Sequence, residues 1–243
     1  MSTALVLVHD DVPGRGEHEV GTVGPALAGL GYDVVVTTFV AGGPPIPDLA
    51  GVDVLVVLGS MAAADDDTVA WLPAERAYLE RAIELDVPVL GICFGAQLLA
   101  RVLGGTVGRA PRPERGFTPL RSTDPDLVPP GDWLEFHDDA FTLPPGSELI
   151  AANEVGVQAF GHGRHVGVQF HPEITPVAYA AWWESWQVNG ELDAVGTSVD
   201  LPALEAEIAA RAESSAAACT TLVRTFCARA GDGQGQESHF TVL

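Results

Sequence analysis

Val87-Pro88-Val89-Leu90-Gly91-Ile92-Cys93-Phe94-Gly95-Ala96-Gln97 joins two patterns at a single residue. Its first half is apolar on both faces, as a buried parallel strand requires. Its second half opens a helical segment that runs to about Leu103 and stops at Gly104-Gly105. Cys93 stands where strand gives way to helix, with Gly91 and Gly95 two residues away on either side. This is the cysteine counterpart of the Gly-x-Ser-x-Gly nucleophile turn. A sharp turn of that kind presses strand and helix backbones together, so only small flanking residues fit. The start of a helix also favours a thiolate over a thiol. A buried cysteine on an ordinary Gly-rich turn is the bland alternative, and the spacing argues against it.

Other strands flank this one. Residues 4–8 and 52–58 are apolar runs, the second broken only by Asp53, and residues 33–37 form a fourth strand. Between them Val20, Val23, Leu27 and Leu30 repeat at helical spacing before Gly31. Leu72, Leu79 and Ile83 do the same and place Glu75, Arg76, Glu80 and Arg81 on an outer face. The order predicts an α/β fold: an open, mostly parallel, flavodoxin-like sheet with flanking helices. Short β pieces at 117–120, 149–152, 156–160 and 165–170 are separated by Pro129-Pro130-Gly131 and Pro144-Pro145-Gly146. They predict an antiparallel β extension. Farther on, Leu204, Ile208, Ala212, Ser215, Cys219, Leu222 and Phe226 form one apolar seam along a long helix, with Cys227 beside it. The expected organisation is a domain over 1–190, a C-terminal helical extension over 191–230, and a mobile Gly- and Gln-rich tail over 231–243.

Charge narrows the function. The 243 residues carry 33 acidic and 12 basic side chains, a formal charge of −21. That field repels phosphate backbones and anionic lipid, so neither nucleic acid nor a membrane is expected as a partner. All 12 basic residues are Arg. Without Lys there is no Walker A loop and no Schiff-base chemistry, and the chain is not expected to activate a substrate with ATP by itself. Cys93, Cys219 and Cys227 make no disulfide framework, and the last two read as buried structural thiols. No apolar run approaches the length of a membrane span, and the first residues lack a basic leader. A reducing cytoplasm is the expected compartment.

A thiolate nucleophile needs a base, and Val166-Gly167-Val168-Gln169-Phe170-His171-Pro172-Glu173 supplies one. Residues i and i+2 of an extended segment share a side, so Glu173 can orient the His171 imidazole. Pro172 disfavours helix between them. His171 can then exchange a proton with Cys93. An oxyanion hole needs two donors: the backbone N–H of Phe94 and one from Leu58-Gly59-Ser60-Met61, at the end of the 52–58 strand. No metal set is evident. His162 and His165 flank Gly163-Arg164 as exposed turn residues, and His137-Asp138-Asp139 is read chiefly as structural. Asp65-Asp66-Asp67 is read as a helix cap, Trp182, Trp183 and Trp186 as packing, and His18 as surface.

Residues 91–97 together with 169–173 resemble the class I (triad) glutamine amidotransferase family, in particular the stand-alone branch similar to the glutaminase domain of GMP synthase. Val57-Leu58-Gly59-Ser60, Phe136-His137-Asp138-Asp139 and Gln158-Ala159-Phe160 support the resemblance, which covers roughly residues 4 to 185. It implies that Cys93 attacks the side-chain amide of glutamine and forms a γ-glutamyl thioester. It implies His171 as proton carrier, Glu173 as its holder, and Gly59 and Phe94 as oxyanion donors. It implies that Gln97 grips the glutamine and that backbone around Val155 and Gly156 holds its amino-acid end. No cofactor is implied. Gly59-Ser60-Met61 departs from the frequent Gly-Gly-Pro, and Glu114-Arg115-Gly116-Phe117 from Glu-Ile-Gly-Trp. The latter segment is read equally as pocket mouth or β-turn. The 70 or so residues after the triad are too few and too helical for a synthase domain.

Three activities fit these residues. One is an ammonia-producing glutaminase that serves a separate synthase or other ammonia-accepting protein. Another is a stand-alone γ-glutamyl peptidase or hydrolase, with Arg109, Arg112 and Arg115 near the mouth either meeting a peptide carboxylate or facing solvent. The third is a regulatory or binding subunit of low activity.

Overall fold

The computed structural model describes residues 2–9, 16–40, 43 and 45–232. The N-terminal half runs β1 (Ser2–Leu7), α1 (Gly16–Glu19), α2 (Val23–Gly29), β2 (Tyr32–Thr37), β3 (Val54–Val57), α3 (Leu72–Glu84), β4 (Val89–Ile92) and α4 (Phe94–Val102). Then come β5 (Val107–Pro119), β6 (Arg121–Ser122), β7 (Asp132–Phe141), β8 (Glu148–Ala152), β9 (Val157–His162) and β10 (His165–Val168). The helices α5 (Pro176–Asn189), α6 (Leu192–Gly196) and α7 (Leu201–Asp232) follow.

Eight strands form the main sheet in the order β2-β1-β3-β4-β10-β9-β8-β6. The first five are parallel, and β9, β8 and β6 extend the sheet antiparallel. The α/β architecture is therefore the expected one. The 165–170 piece corrects one detail: β10 pairs parallel with β4 as well as antiparallel with β9, so it belongs to the centre of the sheet.

Alternation along the central strands assigns the helices to the two faces. Ala4, Val6, Val54 and Val56 face α2 and the second half of α7, through Val23, Leu27, Cys219, Leu222 and Phe226. Leu5, Leu7, Leu55 and Val57 face α3 and α4, through Leu72, Leu79, Leu98 and Leu99. A third cluster joins Leu134 and Phe136 of β7 to Tyr179 and Trp186 of α5 and to Leu204 and Ile208 of α7. The apolar seam of α7 thus serves two cores, one at each end. Cys219 is buried as expected, and burial pushes its thiol up. Cys227 is half-buried, and burial pushes it to about 11.

A separate two-stranded ribbon, β5 with β7, lies outside the main sheet. The 117–120 piece is only its end. Pro111, Pro113 and three Arg interrupt any alternation in β5, and β7 buries Glu135 and His137 among its apolar residues. Neither strand could therefore show a period of two. The register shifts between Arg109 and Glu114, a bulge that turns Glu114 inward.

Several surface expectations change. Asp65-Asp66-Asp67 does not cap α3, which starts at Leu72 behind Trp71. Asp66 instead accepts from the Thr68 amide and hydroxyl, and Asp67 pairs with Arg101 at 2.8 Å. His165 is buried, because it opens a central strand; His162 is half-buried and bonds Ser147 at 3.0 Å. Glu75 is fully buried, although its helix places it beside Arg76. His18 is exposed, as expected. The predicted tail lies outside the described residues from residue 233 on, and 231–232 still belong to α7. Among the described residues no helix is long and apolar enough to cross a membrane.

Candidate functional site

The carboxyl ends of β1, β3, β4 and β10 lie side by side in the sheet, and sheets of this kind bind ligands outside their strands' carboxyl ends. Cys93 lies there, between β4 and α4, with φ 53° and ψ −108°. A non-glycine residue at positive φ is strained, and the surroundings hold it. Its N–H donates to the Val168 carbonyl at 2.8 Å, and Gly95 N–H donates to the Leu58 carbonyl at 3.2 Å. A Cβ on Gly95 would lie 2.0 Å from the Val57 carbonyl oxygen, and one on Gly91 would lie 2.5 Å from the Gly95 oxygen. Both glycines are thus required by close backbone approach.

His171 follows β10, and its N–H donates to the Leu134 carbonyl at 2.8 Å. Its Nδ1 donates to Glu173 Oε1 at 2.6 Å, with both side chains buried. The Glu173 carbonyl accepts from Thr22 N–H at 2.9 Å, tying the segment to the start of α2. The other ring nitrogen of His171 is left free of that bond, and both His171 Cε1 and Cys93 Cβ lie within 4 Å of the position a Cβ on Gly59 would take. Burial works against a charged imidazole, but the Glu173 carboxylate beside it prevails and His171 is raised well above its ordinary value. The structure therefore brings Cys93, His171 and Glu173 together as one buried group.

A cavity of about 270 Å³ opens on this group. Gly59 borders it: a Cβ there would stand 3.1 Å from His171 Cε1 and 3.8 Å from Cys93 Cβ. Phe94 is the first residue of α4, so its amide directly follows Cys93. Trp182 packs edge-on against His171 at 4.7 Å, and Phe136 stacks on Trp186 at 5.2 Å. The Trp cluster packs as expected, and Trp182 and Trp186 also line the cavity together with Met61 and Trp71.

Other expected residues stand elsewhere. Gln97 is buried one turn into α4 and donates to the Asp139 carbonyl at 3.3 Å and to Gln169 Oε1 at 3.2 Å. It is not among the cavity's lining residues, nor are Val155 and Gly156. The Val155 and Gly156 amides both donate to Asn153 Oδ1, at 2.8 and 3.2 Å. Arg115 is held by the Glu114 and His137 carbonyls and by Asp138, over the Phe136 ring. Arg109 and Arg112 are exposed beside Asp139 and Glu154, and none of the three lines the cavity. Glu114 belongs to neither a mouth nor a turn; it is a buried residue of β5.

Two buried groups escape the sequence pattern. His9 follows β1 at the cavity wall. Its Nδ1 donates to the Gly59 carbonyl at 2.8 Å and its Nε2 contacts Glu75 at 3.0 Å. Burial opposes its charge, but the Glu75 carboxylate raises it above its ordinary value. The sequence signal is only a polar residue at a strand's carboxyl end, and its partner lies 66 residues away. The second group is His137 between Glu114 and Glu135. Burial again opposes the charge, and the two carboxylates push His137 up to about 10. Burial pushes Glu135 up as well.

Known proteins resemble this chain. Residues 26–182 match the model of the family glutamine amidotransferase class-I. The chain is 36% identical over 155 residues to a GMP synthase (glutamine-hydrolyzing) of Aeropyrum pernix, a match that covers 60% of this chain and 28% of that protein. It is 34% identical over 139 residues to a subunit of the glutamine-hydrolyzing GMP synthase of Saccharolobus solfataricus, covering 54% of this chain and 72% of that one. A glutamine amidotransferase structure from Thermotoga maritima superposes with TM-score 0.79 at 23% identity, over 93% of this chain and 97% of that chain. The chain spans well under two thirds of the GMP synthases of Aeropyrum pernix and Gloeobacter violaceus, at 28% and 18% of their lengths. The family model, the curated relatives and the fold agree with one another: this chain belongs to the class-I glutamine amidotransferase family.

Proposed function

We propose that the chain hydrolyses the side-chain amide of glutamine to glutamate and ammonia through a thioester on Cys93. The carrying observation is the buried Cys93–His171–Glu173 arrangement at the carboxyl ends of β4 and β10. Cys93 sulfur attacks the γ-carbonyl carbon. The developing oxyanion meets the N–H groups of Phe94 and Gly59. His171 gives its proton to the departing nitrogen, which leaves as ammonia. His171 then takes a proton from water, whose oxygen attacks the thioester carbon. The C–S bond breaks, glutamate leaves, and the thiolate–imidazolium pair is restored. Glu173 keeps His171 in one orientation and stabilises its charge throughout.

The ammonia would pass to a separate synthase protein. Relatives named as one subunit of a GMP synthase support that reading. Three free cysteines are in keeping with a reducing cytoplasm. One observation favours a second reading. Met61, Trp71 and Trp182 line the same cavity as Cys93 and His171, an apolar wall that suits a substituent on the leaving nitrogen. That is the arrangement a γ-glutamyl amine or peptide hydrolase needs. Glutamate release from glutamine and from a panel of γ-glutamyl amines and peptides decides between them. A higher kcat/KM for glutamine supports the ammonia donor. A preference of about 100-fold or more for a substituted compound, on the order of 3 kcal/mol in transition-state binding, replaces it with the hydrolase.

A further inference from the structure

Glu114 of β5 and Glu135 and His137 of β7 meet behind the nucleophile, out of the cavity. Glu114 Oε2 and Glu135 Oε2 each stand 3.2 Å from His137 Nε2. Side-chain exposure is 4% for Glu114, 0% for Glu135 and 2% for His137. Yet both carboxylate oxygens of Glu135, and His137 Nε2 itself, lack a hydrogen-bond partner. The imidazole nitrogen therefore points between the two carboxylates and along neither. Buried polar atoms left this way are costly, and such groups normally find a partner.

The rest of the group is already anchored. His137 Nδ1 donates to the Asp139 carbonyl at 2.8 Å, so an ion that displaces the proton from Nε2 would find its lone pair there. Glu114 accepts from Asn153 Nδ2 at 2.8 Å and from Gln158 Nε2 at 2.7 Å. Outer bonds of this kind orient the side chains that hold a metal. Around an ion with bonds of about 2.1 Å, neighbouring donor atoms lie roughly 3.0–3.4 Å apart, as His137 Nε2 does from each carboxylate oxygen, and all three donor atoms lie within 4.8 Å of one another. Two carboxylates and a neutral imidazole balance one divalent charge. One nitrogen and two oxygens suit a borderline ion such as zinc.

From this geometry we infer that Glu114, Glu135 and His137 form a binding site for a divalent transition-metal ion, zinc being the best fit. The ion would brace the two strands of the ribbon across the bulge that turns Glu114 inward. It would also set positive charge behind the reaction centre. Phe136, between two of the ligands, presents its carbonyl 4.0 Å from Cys93 Sγ. The site is independent of the glutaminase reading, since no ligand touches the cavity.

Metal content of the purified, tag-free chain tests this, measured by plasma mass spectrometry after incubation with zinc and gel filtration. About one zinc per chain is expected. Cobalt(II) in its place should give visible absorption bands of a low-symmetry nitrogen–oxygen site. Glu135→Gln and Glu114→Gln should each lower the stoichiometry at least tenfold, with folding checked by circular dichroism. Cys93→Ala should keep the metal while losing turnover, which separates this site from the triad. A wild-type chain that takes up neither zinc nor cobalt overturns the proposal and leaves a proton as the countercharge of the group. Equal zinc in the wild type and in the folded Glu variants overturns it too, because the ion would then sit elsewhere.

Discussion

Glu75 shows what a single residue costs when its partner comes from a distant strand. It sits beside Arg76 on a helix whose neighbours point to solvent, yet it is fully buried against His9. That pair holds the Gly59 carbonyl, on the same residue whose amide is assigned to the oxyanion hole. Glu75→Gln removes the charge that balances His9 in the interior. It should destabilise the fold by about 3–5 kcal/mol, the usual cost of breaking a buried pair, as read from the midpoint of urea unfolding. A loss below about 1 kcal/mol would show that the pair is not a buried ionic one. The grouping proposed as a triad is legible in the sequence because each part is local: a cysteine between two glycines, and His171 and Glu173 two apart on an extended segment. The His9–Glu75 pair is not, because nothing near either residue announces the other.

Elements differ in the same way. β1, β3 and β4 are legible because they are apolar on both faces, and only a central parallel strand needs that. The β5–β7 ribbon is not, because prolines and buried charge erase its alternation. β10 is visible as a strand, but its first residue misleads: His165 looks like a hairpin tip and is buried at the start of a central strand. Burial pushes its pKa down to about 4, from 6.5 when exposed. The sign follows from linkage. Below pH 6.5 the unfolded chain binds a proton that the folded chain refuses, so stability is full above that pH and falls toward pH 4. The loss is at most about 3 kcal/mol. Urea midpoints measured between about pH 7.5 and pH 4 should show this slope in the wild type and a shallower one in His165→Gln. Identical slopes would mean that His165 is charged in the folded protein.

At the scale of the whole molecule, α7 joins parts that the sequence separates. It spans about 48 Å, by the rise of an α-helix over its 32 residues. Its first half covers β7 and α5, and its second half is part of the sheet's own core. The seam is legible as a helix face, but what it covers depends on the path of the sheet. Phe226 is fully buried there. Phe226→Ala should cost about 3–5 kcal/mol and shift a single unfolding transition. A separate early transition, with the main one unmoved, would make α7 an independent appendage.

The elbow, the base and the crevice acquire meaning together only if the Cys93 thiolate carries the reaction. Steady-state release of glutamate from glutamine by the wild type and by a folded Cys93→Ala variant tests that most directly. The account predicts turnover in the wild type and a loss of at least about 10³-fold in the variant. Turnover that survives the substitution within about tenfold would contradict the thioester, and with it the roles given to His171 and Glu173.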